Sequence, residues 1–331
     1  MNKKFIGCLG IFLVLALGMS LFFNLILLMA TAGSSISTTS GVQYFEKNYV
    51  SGYGSDEIAI VPMYGMISYG VPGDVMGTMV DDTLSKLRQA REDNNIKAII
   101  LRIDSPGGEV TASDVIYHEV VKTDLVKPVI VYMDSVAASG GYYVAVGGRH
   151  LMANELTITG SIGVIIQTMN FEKLSEKVGV DVLTIKSGEM KDMLNPFREA
   201  KPEELEFVQN MIDETYDKFL GIVADERGLD ANQLRDTVAD GRIVSGKTAL
   251  EVGLIDGTGY FEDAIAQAEE LAGLEHARVI SIDPPFSLGR LFRVFGATAE
   301  ARTEVNIKLG PESLNLEAGK FYYVSPHLFS H

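Results

Sequence analysis

Short runs rich in Val and Ile alternate with longer amphipathic stretches along most of this chain, and this alternation restricts the fold more than any other feature. The predicted strands are almost continuously apolar, which is typical of parallel strands covered on both faces. They lie at 57–63, 97–103, 127–133, 180–186 and 277–283. The predicted helices lie near 75–94, 109–124, 171–178, 202–226, 246–252 and 260–273. Alternation of this kind predicts an α/β fold.

The size and the charge of the chain exclude some classes of function. With 331 residues, 47% of them hydrophobic and 22% charged, the chain can bury one substantial core with accessory elements, or two modest domains. Its 28 Lys and Arg residues against 44 Asp and Glu residues give a formal net charge of −16. Nucleic-acid binding needs clustered basic residues that neutralise phosphates, and the sequence has no basic stripe. We therefore expect no nucleic-acid partner.

An apolar stretch at 5–30 is long enough to cross a membrane, because a helix of about 20 residues spans a bilayer core of about 30 Å. Lys3 and Lys4 precede this stretch, and the next basic residue is Lys47. Basic residues favour the cytoplasmic side, so residues 1–4 are expected in the cytoplasm. The sequence thus predicts a single-pass anchor in the cell membrane, with the rest of the protein outside the cytoplasm.

The alternative for this segment is a cleaved signal peptide with its cleavage site at 30–32, although the apolar region of a signal peptide is usually only about 7–15 residues long. The only cysteine, Cys8, lies in the apolar stretch, so the outer part of the chain cannot form a disulfide or a Cys-based metal site. Beyond the anchor we expect a linker at 31–54, a catalytic domain at 55–285 and a C-terminal extension at 286–331.

A first glycine-rich turn, "RIDSPGGEV" at 102–110, connects a predicted strand to a predicted helix. Gly107 and Gly108 would expose backbone N–H groups at the start of that helix, where such groups bind anions or a developing oxyanion. A plain strand–helix turn explains the same residues. This motif alone therefore does not establish a site.

A second turn of the same kind, "SVAASGGYYV" at 135–144, follows the next predicted strand. Ser139 stands at the end of the strand and is followed by Gly140 and Gly141, which is typical of a nucleophile elbow and also of tight strand–helix packing. Because the carboxyl ends of neighbouring parallel strands meet at one edge of the sheet, the two turns are expected to lie side by side. Together they favour a catalytic site.

A serine nucleophile needs a base, and the residues alone leave the identity of that base open. None of the five histidines lies in a turn that obviously faces Ser139: His118, His150, His276, His327 and His331. The stretch "IKSGEMKDM" at 185–193 offers Lys186 and Lys191. A lysine with an ordinary pKa of about 10.4 acts as a base only if burial lowers that pKa to about 7–8. Composition does not choose between these two lysines.

Five motifs follow one another in the order "DSPGG", "AASGGYY", "TGSIGV", "KSGEMKD" and "DGRIVSGKTALEVGLID". Over roughly residues 55–285 the chain therefore resembles the signal peptide peptidase A (protease IV) family, which shares the ββα spiral fold of Clp proteases and crotonases. The resemblance implies this spiral fold behind an N-terminal transmembrane helix. It also implies a membrane-bound serine endopeptidase that hydrolyses remnant signal peptides through an acyl-enzyme, with a Ser-Lys dyad and without a metal or a cofactor.

The resemblance assigns a role to each matching residue. Ser139 is implied to be the nucleophile and Lys191 the general base, while Ser161 of "TGSIGV" would orient the lysine amine. The oxyanion N–H groups are implied to come from Gly107 or Gly108 together with Gly140. Asp104 departs from the family, in which Asn is frequent at this position. This difference matters little if the turn acts through its backbone.

The chain is a short version of a family that also includes two tandem domains in one chain. In those longer members the resemblance implies that the serine and the lysine come from different domains. We therefore expect a homo-oligomer, in the form of a ring, in which Ser139 of one subunit meets Lys191 of its neighbour. The expected substrates are apolar peptides with small or aliphatic side chains at the cleavage site.

Two other classes of function are compatible with parts of the sequence. A crotonase-like acyl-CoA hydratase or hydrolase would use paired N–H groups for a thioester oxyanion, but it predicts a soluble inner location that the anchor contradicts. A catalytically idle membrane scaffold would need neither Ser139 nor Lys191. The tail at 301–331, which ends in "KFYYVSPHLFSH", carries an apolar patch expected to dock on a neighbour or in the substrate groove.

Overall fold

A computed structural model describes residues 17–24, 45–70, 78–284 and 322–324 of the chain. The strands in these ranges are β1 (Glu46–Gly52), β2 (Glu57–Tyr64), β3 (Ile96–Ser105), β4 (Gly107–Glu109), β5 (Val129–Ala138), β6 (His150–Ala153), β7 (Ile158–Gly160), β8 (Ile243–Ser245), β9 (Gly257–Thr258), β10 (Arg278–Asp283) and β11 (Tyr322–Val324).

Nine of these strands form one mostly parallel sheet in the order β1-β10-β2-β3-β5-β6-β9, with β7 beside β5 and β8 beside β7. Only the β1–β10 and β7–β8 pairs in this sheet are antiparallel. The two remaining strands, β4 and β11, form a separate antiparallel pair. The expected α/β architecture with a largely parallel sheet is therefore confirmed.

The helices are α1 (residues 17–24), α2 (Met79–Glu92), α3 (Val110–Asp124), α4 (Gly140–Ala145), α5 (Glu172–Val178), α6 (Pro202–Arg227), α7 (Ala231–Thr237), α8 (Gly246–Glu251) and α9 (Phe261–Ala272), with a 3-10 turn at Glu189–Asp192. Within the described ranges no helix combines the length and the apolar character that a membrane span requires. The predicted anchor at 5–30 lies outside these ranges except for α1. That helix belongs to a compact unit separate from residues 45–284.

The core lies on both faces of the central strands, as their continuous apolar character predicts. Successive side chains of a strand point to opposite faces, so Ile99 and Leu101 of β3 contribute to one cluster while Ile100 contributes to another. The larger cluster packs against α2, α3, α4 and α6, and includes the fully buried Phe219 of α6. The smaller cluster packs against α9.

Four of the five predicted strands and all six predicted helices are confirmed. The strand predicted at 180–186 is wrong, because these residues form no regular structure and Leu183 and Ile185 are 86% and 90% exposed. Their β-branched and apolar side chains favour a strand, but a strand forms only beside a partner. The sequence analysis also missed β1, which pairs with β10 and lies within the stretch expected to be a linker.

The carboxyl ends of β3 and β5 separate from their regular pairing just before the two glycine-rich turns. The register of the two strands shifts between Ile103 and Ser105, and the last residues of β5 pair with β7. The Asp104 carboxylate accepts a hydrogen bond from the Val136 N–H at 3.1 Å across this shift. Asp104 therefore holds the two turns together, and an asparagine oxygen is able to accept the same bond.

Candidate active site

Ser139 occupies a strained elbow between β5 and α4. Its backbone has φ 54° and ψ −115°, a conformation that costs a residue other than glycine about 1–3 kcal/mol. Two backbone hydrogen bonds hold it there, from the Ser139 N–H to the Gly160 carbonyl and from the Tyr143 N–H to the Ser139 carbonyl, each at 2.8 Å. The residue is 1% exposed, and its Oγ has no hydrogen-bond partner within the described residues. Buried hydroxyl groups rarely lack a hydrogen-bond partner, and such an exception is typical of a catalytic or binding site whose partner is a ligand or another chain.

The residues after Ser139 fix this elbow against the sheet. A Cβ at Gly141 would lie 2.8 Å from the Ser105 carbonyl oxygen, so only glycine permits the approach of α4 to the end of β3. The next two side chains are fully buried tyrosines, which anchor the helix. Tyr142 donates to the Leu254 carbonyl at 2.7 Å, and Tyr143 donates to the Asp114 carboxylate at 2.6 Å. The glycines therefore permit the close approach of α4 to β3, and the two tyrosines that follow them hold α4 in that position.

The first turn directs the N–H of Gly108, rather than that of Gly107, away from Ile67 and toward the edge of β4 that pairs with β11. The Gly107 carbonyl and the Glu109 N–H both bond to Ile67, at 2.8 Å each. Main-chain groups alternate in direction along a strand, so the N–H and the carbonyl of Gly108 point to the opposite edge. The Gly107 N–H is already engaged by the Ser105 Oγ at 3.2 Å. Of the two predicted alternatives, Gly108 is thus the one whose N–H is bonded neither to Ile67 nor to Ser105.

The second predicted donor, Gly140, is the first residue of α4. The first N–H groups of a helix have no partner within it, and the Gly140 N–H makes no backbone bond to any other described residue. This amide lies directly after Ser139. It is therefore available as a hydrogen-bond donor beside the Ser139 side chain.

Gly108→Ala is expected to abolish activity and to lower thermal stability. A Cβ at this position would lie 2.0 Å from the Ile67 carbonyl oxygen and 2.6 Å from its nitrogen, so the backbone must move. Because β4 then separates from Ile67, the Gly108 amide loses its position. Turnover of a peptide substrate and a thermal melt measure the two effects. Gly221→Ala is the matched control, since Gly221 lies in α6 and a Cβ there would meet no other part of the described structure within 4 Å. Equal behaviour of the two variants would contradict this account.

Ser161 lies beside Ser139, because each serine directly follows one of the two paired strands β5 and β7. Ala138 pairs with Gly160, so the two serines follow paired residues at the ends of β5 and β7. Ser161 also adopts a positive φ, 51°, and its N–H donates to the Arg242 carbonyl at 2.8 Å. It borders an open cavity of about 430 Å³ that is also lined by Ile212 and Tyr216 of α6. Polar and apolar side chains therefore both line the cavity next to Ser161.

Lys191 lies apart from this group, on the exposed 3-10 turn Glu189–Asp192. Among the described residues its amine makes no hydrogen bond and no ion pair, whereas Lys186 bonds to Asp192 at 2.7 Å. Arg198 bonds to the same carboxylate at 2.9 Å. These bonds, first from Arg198 and then from Lys186, hold the pKa of Asp192 well below its usual range. Lys186 is thus occupied in fixing the turn, and Lys191 is free.

We call residues 167–200, which carry this turn, the arm. The arm exposes an unusual number of large apolar side chains: Leu174, Val178, Val180, Val182, Leu183 and Ile185. An exposed apolar surface of this kind marks an interaction site. The structure of the chain therefore brings together Ser139, Ser161, Gly108 and Gly140, and among the described residues Lys191 makes no hydrogen bond to any of them.

Sequence analysis missed the residues that support the site from behind. The Ser105 Oγ accepts a hydrogen bond from the Gly107 N–H. The Thr159 Oγ1 donates a hydrogen bond to the Ala137 carbonyl at 2.7 Å, which holds β7 against the end of β5. Both are fully buried. Their only signal in the sequence is that they are polar residues inside apolar strand ends next to glycine motifs.

The sequence matches the profile of Peptidase family S49 over residues 122–275 and the Clp protease profile over residues 66–175. A provisionally named protease of Synechocystis sp. is 41% identical over 235 residues, which cover 70% of this chain and 84% of the relative. A provisionally named signal peptide peptidase SppA of Enterococcus faecium is 40% identical over 198 residues, 60% of this chain and 57% of the relative.

A third relative is the chloroplastic serine protease SPPA of Arabidopsis thaliana, which is 38% identical over 227 residues. The matched region covers 67% of this chain and 33% of that relative. The chain thus spans most of the cyanobacterial protein but only about a third of the plant protease.

Proposed function

Because the chain belongs to peptidase family S49, the signal peptide peptidase A (protease IV) family, and is a serine peptidase, we propose that it is a membrane-anchored endopeptidase for remnant signal peptides. Ser139 is the nucleophile and Lys191 the general base of this proposal. The observation that carries it is the buried Ser139 Oγ, which has no hydrogen-bond partner among the described residues and lies on a strained elbow directly before the unbonded Gly140 amide.

The proposed reaction uses these groups in two stages. Ser139 Oγ attacks the carbonyl carbon of the scissile bond and gives its proton to the neutral Lys191 amine. The Gly108 and Gly140 amides stabilise the resulting oxyanion. As the carbon–nitrogen bond breaks, the lysine returns the proton to the leaving amine, and water then hydrolyses the acyl-enzyme by the same route. Ser161 accepts a hydrogen bond from Lys191 and keeps its amine directed at Ser139.

Lys191 comes from a neighbouring subunit in this proposal. Among the described residues the Lys191 amine and the Ser139 Oγ both lack partners, and the arm exposes the apolar surface that a second copy would cover. The cavity beside Ser161 is the entrance for the neighbour's turn. A contact between two different surfaces of identical subunits repeats around a closed ring, so we propose a ring-shaped homo-oligomer.

The membrane location and the substrate class rest on the sequence. The stretch at 5–30 is proposed as the anchor, with residues 1–4 in the cytoplasm and the peptidase domain outside it. Cleaved signal peptides are apolar and are released in the membrane, where an anchored enzyme meets them. The name of the Enterococcus faecium relative supports this substrate class.

Labelling with a fluorophosphonate tests the proposal, since this reagent forms a stable bond only with an activated serine. The wild-type protein is expected to be labelled and the Ser139→Ala variant is not. Ser135→Ala is the matched control, because Ser135 lies on the same strand but is exposed. Mass spectrometry of the labelled peptide identifies the serine that reacted.

Two outcomes would overturn the proposal. Persistent labelling of folded Ser139→Ala would show that another serine is the nucleophile. A complete absence of labelling in folded, assembled wild-type protein would contradict peptidase activity and favour the idle scaffold or the acyl-CoA enzyme.

A further inference from the structure

Arg198 connects the turn that carries Lys191 to the start of α6. Its guanidinium donates to both carboxylate oxygens and to the backbone carbonyl of Asp192, at 2.9 Å in each case. It also donates to both carboxylate oxygens of Glu204, at 2.9 and 2.5 Å. Asp192 directly follows Lys191, and Glu204 lies in the first turn of α6. One side chain, which we call the Arg198 bridge, thus joins the residue next to the proposed base to a long helix.

Glu204 is a fixed acceptor for this bridge. Its side chain is fully buried, and its Oε2 also accepts a hydrogen bond from the Lys201 N–H at 3.0 Å, at the N-terminus of α6. The hydrogen bonds from Arg198 hold the pKa of Glu204 below its usual range, so the carboxylate stays charged at neutral pH. The helix itself is anchored in the core by the fully buried Phe219. The bridge therefore ends on a part of the fold that does not move easily.

The turn has little other support. It is only four residues long, Glu189–Asp192, and the Lys191 N–H donates to the Gly188 carbonyl within the same segment at 3.1 Å. A second ionic link to α6 joins the Glu189 carboxylate to Lys201 at 2.8 Å, but these side chains are 80% and 48% exposed. Exposed ion pairs contribute little to stability. A guanidinium that binds two carboxylates in a planar fork fixes an orientation far better.

We propose that Arg198 is a positioning residue for the general base, and that its bridge to Glu204 holds the Lys191 turn in the orientation from which the amine reaches Ser139. The inference rests on the proposed function for the role of Lys191. A lysine amine stands on a flexible four-carbon stem, and that of Lys191 has no partner among the described residues. Its position is therefore set by the backbone that carries it. Misplacement of a catalytic group by about 1 Å costs about 10²-fold in rate.

Arg198→Ala is expected to lower kcat by about 10²-fold with an unchanged KM for a short apolar peptide, because the bridge acts on the base. Arg198→Lys keeps the charge but not the two-sided fork, so its kcat should stay at least about tenfold below that of the wild type. Lys201→Ala is the matched control, since it removes the exposed link between the same turn and the same helix. Its kcat should stay within about twofold of the wild-type value. A wild-type kcat in Arg198→Ala or in Arg198→Lys would overturn the proposal.

Glu204→Gln tests the bridge without leaving a buried carboxylate unpaired. Glutamine has the same shape, and its amide oxygen can still accept the hydrogen bond from the Lys201 N–H. Only the ionic half of the bridge is lost, so kcat is expected to fall by about tenfold while a thermal melt shows a folded protein. A wild-type kcat in this variant would contradict the role of Glu204 in the bridge.

A double-mutant cycle separates positioning from a general structural role. The rate of fluorophosphonate labelling at Ser139 is measured for Arg198→Ala, for Lys191→Ala and for the double variant. Each single change is expected to slow labelling. If Arg198 acts through Lys191, the double variant is labelled no more slowly than Lys191→Ala alone. A further loss equal to the full effect of Arg198→Ala would show that Arg198 supports something other than the base, which would overturn the proposal.

Amide hydrogen exchange tests the bridge without catalysis. In the full-length Ser139→Ala protein, addition of Arg198→Ala is expected to speed exchange in residues 188–193 by at least about tenfold, and to leave residues 215–225 of α6 unchanged. Unchanged exchange at 188–193 would contradict the bridge even if the enzyme is an active peptidase. Faster exchange, in a protein whose wild-type form is not labelled by the fluorophosphonate, would instead overturn the proposed function and confirm the bridge itself.

Discussion

Lys191→Ala is expected to reduce peptide hydrolysis by at least about 10³-fold, whereas Lys186→Ala retains most of the activity. The Lys191 amine has no hydrogen-bond or ion-pair partner among the described residues, so Lys191→Ala is expected to leave the fold intact while it removes the proposed general base. Lys186 instead bonds to Asp192, which Arg198 also holds. Its loss weakens one support of the turn and leaves the other. Steady-state kinetics of both variants, with thermal melts to confirm folding, measure the difference.

Lys191→Arg sharpens this comparison because it keeps the positive charge and most of the length of the side chain. A guanidinium stays protonated at any working pH and cannot accept the Ser139 proton. Lys191→Arg should therefore be as inactive as Lys191→Ala. Equal losses from the Lys186 and Lys191 variants, or an active Lys191→Arg protein, would contradict the assignment of the base.

Sequence reasoning was most successful where local chemistry decides the structure. The apolar strand runs and the two glycine pairs predicted a parallel sheet with two adjacent turns, because glycine permits the backbone approach at Gly108 and Gly141 that no other residue allows. The sequence did not show whether Gly107 or Gly108 provides the N–H group for the oxyanion. It depends on the Ile67 backbone, which reaches β4 from a distant part of the chain.

The arm shows why other features could not be predicted. Residues 180–186 have the composition of a strand, but whether they form one depends on a neighbouring strand, which composition does not record. The contrast between Lys186 and Lys191 depends likewise on Asp192, whose carboxylate selects one of two lysines five residues apart. Only the three-dimensional structure shows that Lys186 pairs with Asp192 and that the Lys191 amine has no partner among the described residues. The family resemblance supplied the same choice by motif rather than by physical argument.

Ser139→Ala and Lys191→Ala, each inactive alone, are expected to recover activity when they assemble into the same oligomer. In the proposed head-to-tail ring, each site takes its serine from one subunit and its lysine from the next. The Lys191→Ala subunits supply an intact Ser139, and the Ser139→Ala subunits supply an intact Lys191. With random mixing of equal amounts, each supplier is intact in half of the cases, so about a quarter of the sites are complete. Peptide turnover at about this fraction of the wild-type rate is the expected measurement.

The control for this experiment mixes Ser139→Ala with the double variant Ser139→Ala/Lys191→Ala, which assembles in the same way but contains no intact serine. No activity should return there. Different affinity tags on the two chains allow mixed oligomers to be purified before the assay, so that failure to assemble cannot be mistaken for failure to complement. Inactive mixed oligomers would mean that the serine and the lysine act within one chain. In that case the arm must move so that Lys191 reaches Ser139 of its own subunit, and the apolar surface from Leu174 to Ile185 would need another partner.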